Sequence, residues 1–134
     1  MAYAILRTQK LKHLASVRRS LTHSFRAQDT PNADPARTPD NTHLGASGVE
    51  DGIAKIEAKL PEKRRKDAVL AIEYLVSASP EAMAGRSRAD QDAYLNDALA
   101  WLKARHGAEN VVYAGIHRDE STPHLYAYVV PFEC

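Results

Sequence analysis

The sequence predicts an α+β domain, with helices packed on a central antiparallel β-sheet. Three observations carry this. Short apolar, β-compatible runs stand near both ends and in the middle of the chain. Longer stretches between them repeat apolar residues at helical spacing. The resulting order, β, α, loop, α, β, α, β, β, suits helices laid over one antiparallel sheet better than alternating βα units. A length of 134 residues allows one compact domain with a hydrophobic core and leaves little room for a second, so residues 1–134 are read as a single domain.

Tyr3 to Arg7 (YAILR) forms the first strand. From about Leu11 to Ala27, residues Leu14, Val17, Leu21 and Phe25 recur three or four apart, which is the period of an amphipathic helix. Residues 29–48 (DTPNADPARTPDNTHLGASG) are dense in turn-forming types and read as a long loop, a feature often functional in compact domains. Val49 to Leu60 is a short helix with Ile53, Ile56 and Leu60 on one side and Pro61 as its stop. Ala68 to Ser77, holding Val69, Ile72 and Val76, is a buried strand, and Ser79-Pro80-Glu81 is suited to capping a turn after it. Asp90 to His106 is a second amphipathic helix, with Ala93, Tyr94, Asp97, Ala98, Trp101 and Leu102 toward its inner side and Gly107 as a stop. Asn110 to His117 and His124 to Val130 close the chain as two strands joined by RDESTP.

Apolar and charged fractions of 44% and 26% exclude a disordered or fibrous chain. There is no apolar run of membrane-spanning length, and MAYAILRTQK lacks the uncharged core of a secretory signal, so a cytoplasmic protein is expected. Cys134, the lone cysteine at the last position, reads as incidental or as the point where a longer protein was cut. A net charge of +1 hides a segregated distribution. Arg7, Lys10, Lys12, Arg18, Arg19 and Arg26 precede any acid, and Lys63, Arg64, Arg65 and Lys66 form a second cluster. Residues 27–62 between them carry seven acids against three bases. Such patches are either phosphate-binding footprints or solvated faces.

The densest chemistry lies in HRDESTPHLY, residues 117–126. A hairpin-like connection brings His117 and His124 to one sheet edge, with Glu120 on the turn. Strand alternation puts His124 and Tyr126 on the same face. Two imidazoles and a carboxylate around an open position suit manganese, magnesium or zinc; surface histidines at a turn are the ordinary alternative. His23 and Arg26, three apart at the end of the first helix, share a face. A neutral histidine can attack phosphorus beside an arginine that neutralises phosphate charge, or the pair can simply be a polar helix end.

Taken together, YAILRTQKLK, THSFR, NTHL, RKDAVLAIEYLVSASPE and above all HRDESTPHLYAYVVP resemble the Mob/Pre family of plasmid mobilisation and recombination proteins, relaxases of the histidine-nucleophile type. The resemblance implies an HUH-endonuclease-like domain, the N-terminal part of a longer protein. It implies metal-dependent nicking of one strand at an origin of transfer through a 5′-phosphohistidine. His23 matches the nucleophile and Arg26 its partner, while His117, Glu120 and His124 match metal ligands. Asp67 and Glu73 match acids of the middle segment; their even separation places them on one strand face, although six residues of strand span roughly 20 Å. The chain departs from the family pattern in carrying Ser24 where asparagine is common. It also carries Tyr126 in place of the last metal histidine, and a neutral phenol is a poor ligand. The resemblance further implies manganese or magnesium as cofactor and single-stranded or supercoiled origin DNA held by the two basic clusters. Coupling and relaxosome proteins, and a homodimer through a C-terminal region, are the implied further partners. A rolling-circle replication initiator with a tyrosine nucleophile, or a non-catalytic origin-binding regulator, are the competing readings.

Overall fold

The computed structural model describes residues 3–27 and 30–131, so Cys134 lies outside the described residues. It contains β1 (Ala4–Leu11), α1 (Leu14–Ser24), β2 (Thr42–Leu44), α2 (Val49–Lys59), β3 (Ala71–Ala78), α3 (Pro80–Ala84), α4 (Arg88–His106), β4 (Val111–His117) and β5 (His124–Val129). The strands make one five-stranded antiparallel sheet in the order β1-β3-β5-β4-β2, as the α+β reading expects. No helix among the described residues is long and apolar enough to cross a membrane.

The two faces of the sheet are covered unequally. On one, Tyr74, Val76 and Ala78 of β3, Leu125, Ala127 and Val129 of β5, and Ala114 and Ile116 of β4 pack beneath Leu95, Leu99 and Leu102 of α4 and Met83 of α3. On the other, Leu11, Ala71, Tyr113, Tyr128 and Val130 meet Val17 and Leu21 of α1 and Ile53 and Ile56 of α2. These helices cover only one end of that face. The register aligns Ile5 with Ser77, Arg7 with Leu75 and Gln9 with Glu73, and Leu75 with Tyr126. This leaves a floor of mixed polar and apolar residues uncovered beside α1.

Several boundaries differ from the sequence reading. β1 continues to Leu11 because Lys10 and Leu11 pair with Ile72 and Ala71, and Leu11 is buried under α1; the helix then starts at Leu14 rather than Leu11. The segment read as loop contains a 3₁₀ turn (Thr38–Asp40) and β2, which pairs with β4 at the sheet edge. In α4 the inner row is Leu95, Leu99 and Leu102, whereas Ala93 and Asp97 are exposed and Trp101 is 50% exposed beside Arg105. Burying Asp97 would have required a partner for its charge, so the helix rolls its leucines inward instead. Ser87 caps α4 by accepting from the Asp90 amide at 3.2 Å, and Gly107, at φ +92°, ends it as expected.

Gly115 lies in β4 on the site-bearing face, paired with Tyr126. A Cβ there would stand 2.5 Å from the Tyr113 hydroxyl and 3.2 Å from Ser24 Oγ, both fixed in the core. Gly115→Ala is therefore expected to destabilise the fold by about 1–3 kcal/mol, as overpacking does. Urea unfolding checks this, and an unchanged midpoint would contradict it.

Candidate metal and nucleophile site

His117 ends β4 and His124 begins β5, paired across the strands. His117 is fully buried, and its Nε2–H donates to the Ser24 carbonyl at 2.8 Å, which leaves a lone pair on Nδ1. His124 Nδ1 faces the Thr122 carbonyl at 3.0 Å, so its proton sits there and Nε2 is the free acceptor. The two lone-pair nitrogens approach to 3.1 Å. Glu120 places a carboxylate oxygen 4.0 Å from His124 Nε2, and one donor atom from each of the three residues falls within a 4.8 Å set. Two converging lone pairs and a carboxylate repel one another unless a cation sits among them, and ring protons tied to backbone carbonyls are how metal-binding imidazoles are oriented. The donor set therefore fits a divalent ion. Burial holds His117 down to about 3, helped by His124 and Arg26, and burial also lowers His124, so both imidazoles stay in the ligating, neutral form.

Arg26 joins this set to α1. The helix ends at Ser24, so Arg26 is not on its face; it lies beyond it with φ 56°, in the left-handed region that favours glycine. The amide of Arg26 bonds the His23 carbonyl and that of Ala27 the Thr22 carbonyl, the pairing of a Schellman cap. The guanidinium then grips Asp119 through Nε and Nη2 at 2.9 and 2.8 Å and Glu120 at 2.7 Å, and Nη1 approaches His23 Nε2 at 3.4 Å. With its side chain 6% exposed, its donors face these groups rather than the open surface. Asp119 was not singled out in the sequence. Burial works to raise its pKa, but hydrogen bonds from Arg26 and Thr38 outweigh that and hold the carboxylate well below the usual range.

His23, in the last turn of α1, lies edge-on to Tyr126 at 6.2 Å between ring centroids. Tyr126 in turn contacts His117 and His124 at 5.2 Å each. The uncovered floor forms three adjoining cavities of about 280, 360 and 340 Å³. Arg7, Leu75 and Tyr126 are shared by the first two, Gln9 and Glu73 by the last two, and His23 and Arg19 line the third. The result is one trough passing His23, Tyr126 and the metal donors. Glu73 sits in this floor, its pKa raised by burial, where it shares a cavity with His23.

The remaining sequence candidates separate. Asp67 precedes β3 rather than sharing a strand face with Glu73; it is exposed and pairs with Arg65 at 3.6 Å. Lys12, Arg64, Arg65 and Lys66 line a different cavity of about 420 Å³ near the start of α1, and Lys63 is exposed beside it. Arg18 is ion-paired with Glu50 of α2. Lys10 alternates with Gln9 on β1 and so projects away from the trough. Arg7 and Arg19 are the two of the basic set that line it.

Sequence reasoning also missed the support beneath the donors. His43 of β2 stacks on Phe25 at 4.8 Å and contacts the Tyr113 hydroxyl through Nδ1 at 2.6 Å; Tyr113 reaches Ser24 Oγ at 3.2 Å. Arg118 is held by Asp92 of α4 at 2.9 Å and by the Asp40 carbonyl and Thr42 hydroxyl at 2.7 Å. The two anchor β4's end from both sides. Only the type of residue at 43 and 118 was visible in the chain, because each contact crosses between distant segments.

Comparison with known proteins gives consistent matches. The family described as plasmid recombination enzyme (Mob_Pre) matches residues 1–133. A 65 kDa protein of Zymomonas mobilis is 31% identical over 134 residues, which is 96% of this chain and 23% of that protein. A plasmid recombination enzyme of Lactiplantibacillus plantarum is 30% identical over 99% of this chain and 39% of its own length. The chain thus spans well under half of either relative. Among solved structures, the manganese-bound MobM relaxase domain in complex with 22-nucleotide pMV158 oriT DNA superposes with a TM-score of 0.85 at 28% identity, over 98% of this chain and 71% of that one.

The burial of His117 sets a pH dependence for the metal-free protein. Its folded pKa is about 3 against 6.5 for an ordinary imidazole, so below pH 6.5 the unfolded chain takes up a proton that the folded one refuses. Stability is expected to fall as pH drops from 6.5 toward 3, by about 1.4 kcal/mol per pH unit for this group. Urea unfolding of chelator-treated protein across that window measures it. An undiminished slope in His117→Gln would assign the effect elsewhere.

Proposed function

Because the chain belongs to the plasmid recombination enzyme family (Mob_Pre), we propose that it is a DNA relaxase domain that nicks one strand of a plasmid at its origin of transfer and keeps the 5′ phosphate on His23. The observation that carries this reading is the apposition, across Tyr126 and Arg26, of a histidine at a helix end and a His117, Glu120, His124 donor set in one open trough. The manganese-bound, DNA-bound state of the similar MobM domain supports it.

His23 is the nucleophile. Arginine cannot accept a hydrogen bond, so the Arg26 contact marks His23 Nε2 as carrying a lone pair. That nitrogen bonds to phosphorus as the bond to the 3′ oxygen breaks; the oxygen leaves, takes up a proton, and becomes the free 3′ hydroxyl. A divalent cation, manganese in preference to magnesium given the two imidazoles, held by His117 Nδ1, His124 Nε2 and the Glu120 carboxylate, would supply Lewis-acid charge at the non-bridging oxygens. Arg26 keeps Glu120 and His23 in register, and Glu73 lies on the floor beside His23. Arg7 and Arg19 contact phosphates along the trough, and the Lys12, Arg64, Arg65 and Lys66 cluster holds the strand farther out. The reverse attack by a 3′ hydroxyl reseals the strand.

His23→Ala is expected to abolish the covalent protein–DNA adduct on denaturing gels while leaving DNA binding intact; an adduct that persists in the variant rules out this nucleophile. His124→Ala is expected to weaken manganese binding and nicking together, and nicking that survives chelation would remove the metal from the reaction. Binding measured without cleavage should weaken as salt rises, and Arg7→Ala or Arg19→Ala should each reduce the slope of log K against log salt by ~0.7.

A further inference from the structure

The chain has tyrosines at 3, 74, 94, 113, 126 and 128. Those with buried or half-buried rings almost all spend their hydroxyls on protein partners. Tyr74 meets His106 at 2.8 Å, Tyr94 donates to the Ser77 carbonyl at 2.7 Å, Tyr113 meets His43 at 2.6 Å and Tyr128 meets Ser20 at 2.6 Å. Tyr126, half-buried, makes no hydrogen bond among the described residues, and its hydroxyl is not enclosed by protein, so it is open to a ligand.

Its position gives that free hydroxyl a use. β5 pairs Tyr126 with Gly115 on one side and Leu75 on the other, and the space over Gly115 is taken by the Tyr113 hydroxyl. The ring lies 5.2 Å from both metal-donor imidazoles and 6.2 Å from His23, between the nucleophile and the donor set. With Arg7 and Leu75 it lines both of the adjoining cavities. A phosphodiester seated against His23 and the donor set presents two non-bridging oxygens. A cation at the donor set would engage such an oxygen, and the Tyr126 ring stands between that set and His23.

We propose that the Tyr126 hydroxyl donates a hydrogen bond to a non-bridging oxygen of the reacting phosphate, making it a further catalytic residue of this chain and not a metal ligand. The inference rests on the relaxase reading above. Chemistry separates the two roles: an un-ionised phenol is a good donor to an anionic oxygen and a weak ligand for a divalent ion, and His117, Glu120 and His124 already converge without it. A donor fixed before the reaction, aimed where charge develops, accelerates the step without reorganising.

The test uses the full chain, manganese titrations without DNA, and single-turnover cleavage of single-stranded oligonucleotides tiling the replicon that encodes it. Tyr126→Phe, which keeps the ring, should leave manganese affinity unchanged and the adduct on His23, and slow cleavage by about 10²-fold. Replacing one non-bridging oxygen of the scissile phosphate by methyl should shrink the difference between wild type and Tyr126→Phe. Tyr126→His, which puts an imidazole beside His124, should tighten manganese binding. The proposal is overturned if Tyr126→Phe weakens manganese as His124→Ala does, if it cleaves at the wild-type rate, or if the wild-type adduct maps to Tyr126. Wild-type protein that binds manganese yet forms no adduct with any oligonucleotide would instead overturn the relaxase reading, and this inference with it.

Discussion

Arg26 occupies a backbone position where glycine is the usual resident, and the site is assembled around the ion pairs that hold it there. A side chain in the left-handed region costs about 1–2 kcal/mol relative to a right-handed one. Here that cost is offset by a two-point grip on buried Asp119 and a further bond to Glu120. The Asp119 carboxylate also accepts from the Thr38 hydroxyl, and its backbone carbonyl accepts from the Asp34 amide, so the same residue fastens the long segment before β2. Three stretches remote in sequence are thereby fixed to one point. Removing either charge would strand the other in a buried setting, which is why such pairs are costly to break even when their net contribution is small. The consequence for the site is register: His23 lies three residues before Arg26, His117 two before Asp119, and Glu120 directly after it.

The sheet supplies the stage on which that register matters. One face is closed by α4 and α3, with leucines, methionine and aromatic rings throughout. On the opposite face α1 and α2 stop short, and the His117 bond to the Ser24 carbonyl docks the end of α1 against the end of β4. The exposed remainder keeps Arg7, Gln9 and Glu73 beside Ile5 and Leu75 in the positions that alternation turns toward it. An open floor of this kind would be unstable if wholly apolar. As a partly polar strip flanked by a helix end it can receive an extended, charged chain.

Much of this was legible in the chain, and the parts that were not have physical reasons. Period-two alternation alone put His124 and Tyr126 on the same face with Leu125 opposed, and that is how they lie. The helical period of Val17 and Leu21 marked the inner side of α1. What failed depended on partners elsewhere. β2 is three residues long and exists because β4 offers an edge, so no local pattern announces it. In α4 Tyr94, Ala98 and Leu102 do face the core, but the tryptophan drew the inner face too far round: Leu95 and Leu99 complete it and Trp101 stays outside over Arg105. Asp67 and Glu73 were set on one strand by counting, but the strand begins only at Ala71. Arg26 was placed on the helix face because nothing in THSFR marks a left-handed residue; the reason for it lies at Asp119, far along the chain.

Charge accounting links the clasp to the chemistry. Arg26 is met by two carboxylates, Asp119 and Glu120, so the cluster without a cation carries one net negative charge, and both neighbouring imidazoles are kept neutral by burial. In that state it disfavours a phosphodiester. A divalent ion among the donors would reverse the sign to one net positive charge, which a single phosphodiester would neutralise. A cation held there would make the trough attractive to a phosphate at this one point. Arg7 and Arg19 add positive charge along the trough, and a filled donor set would add it beside His23.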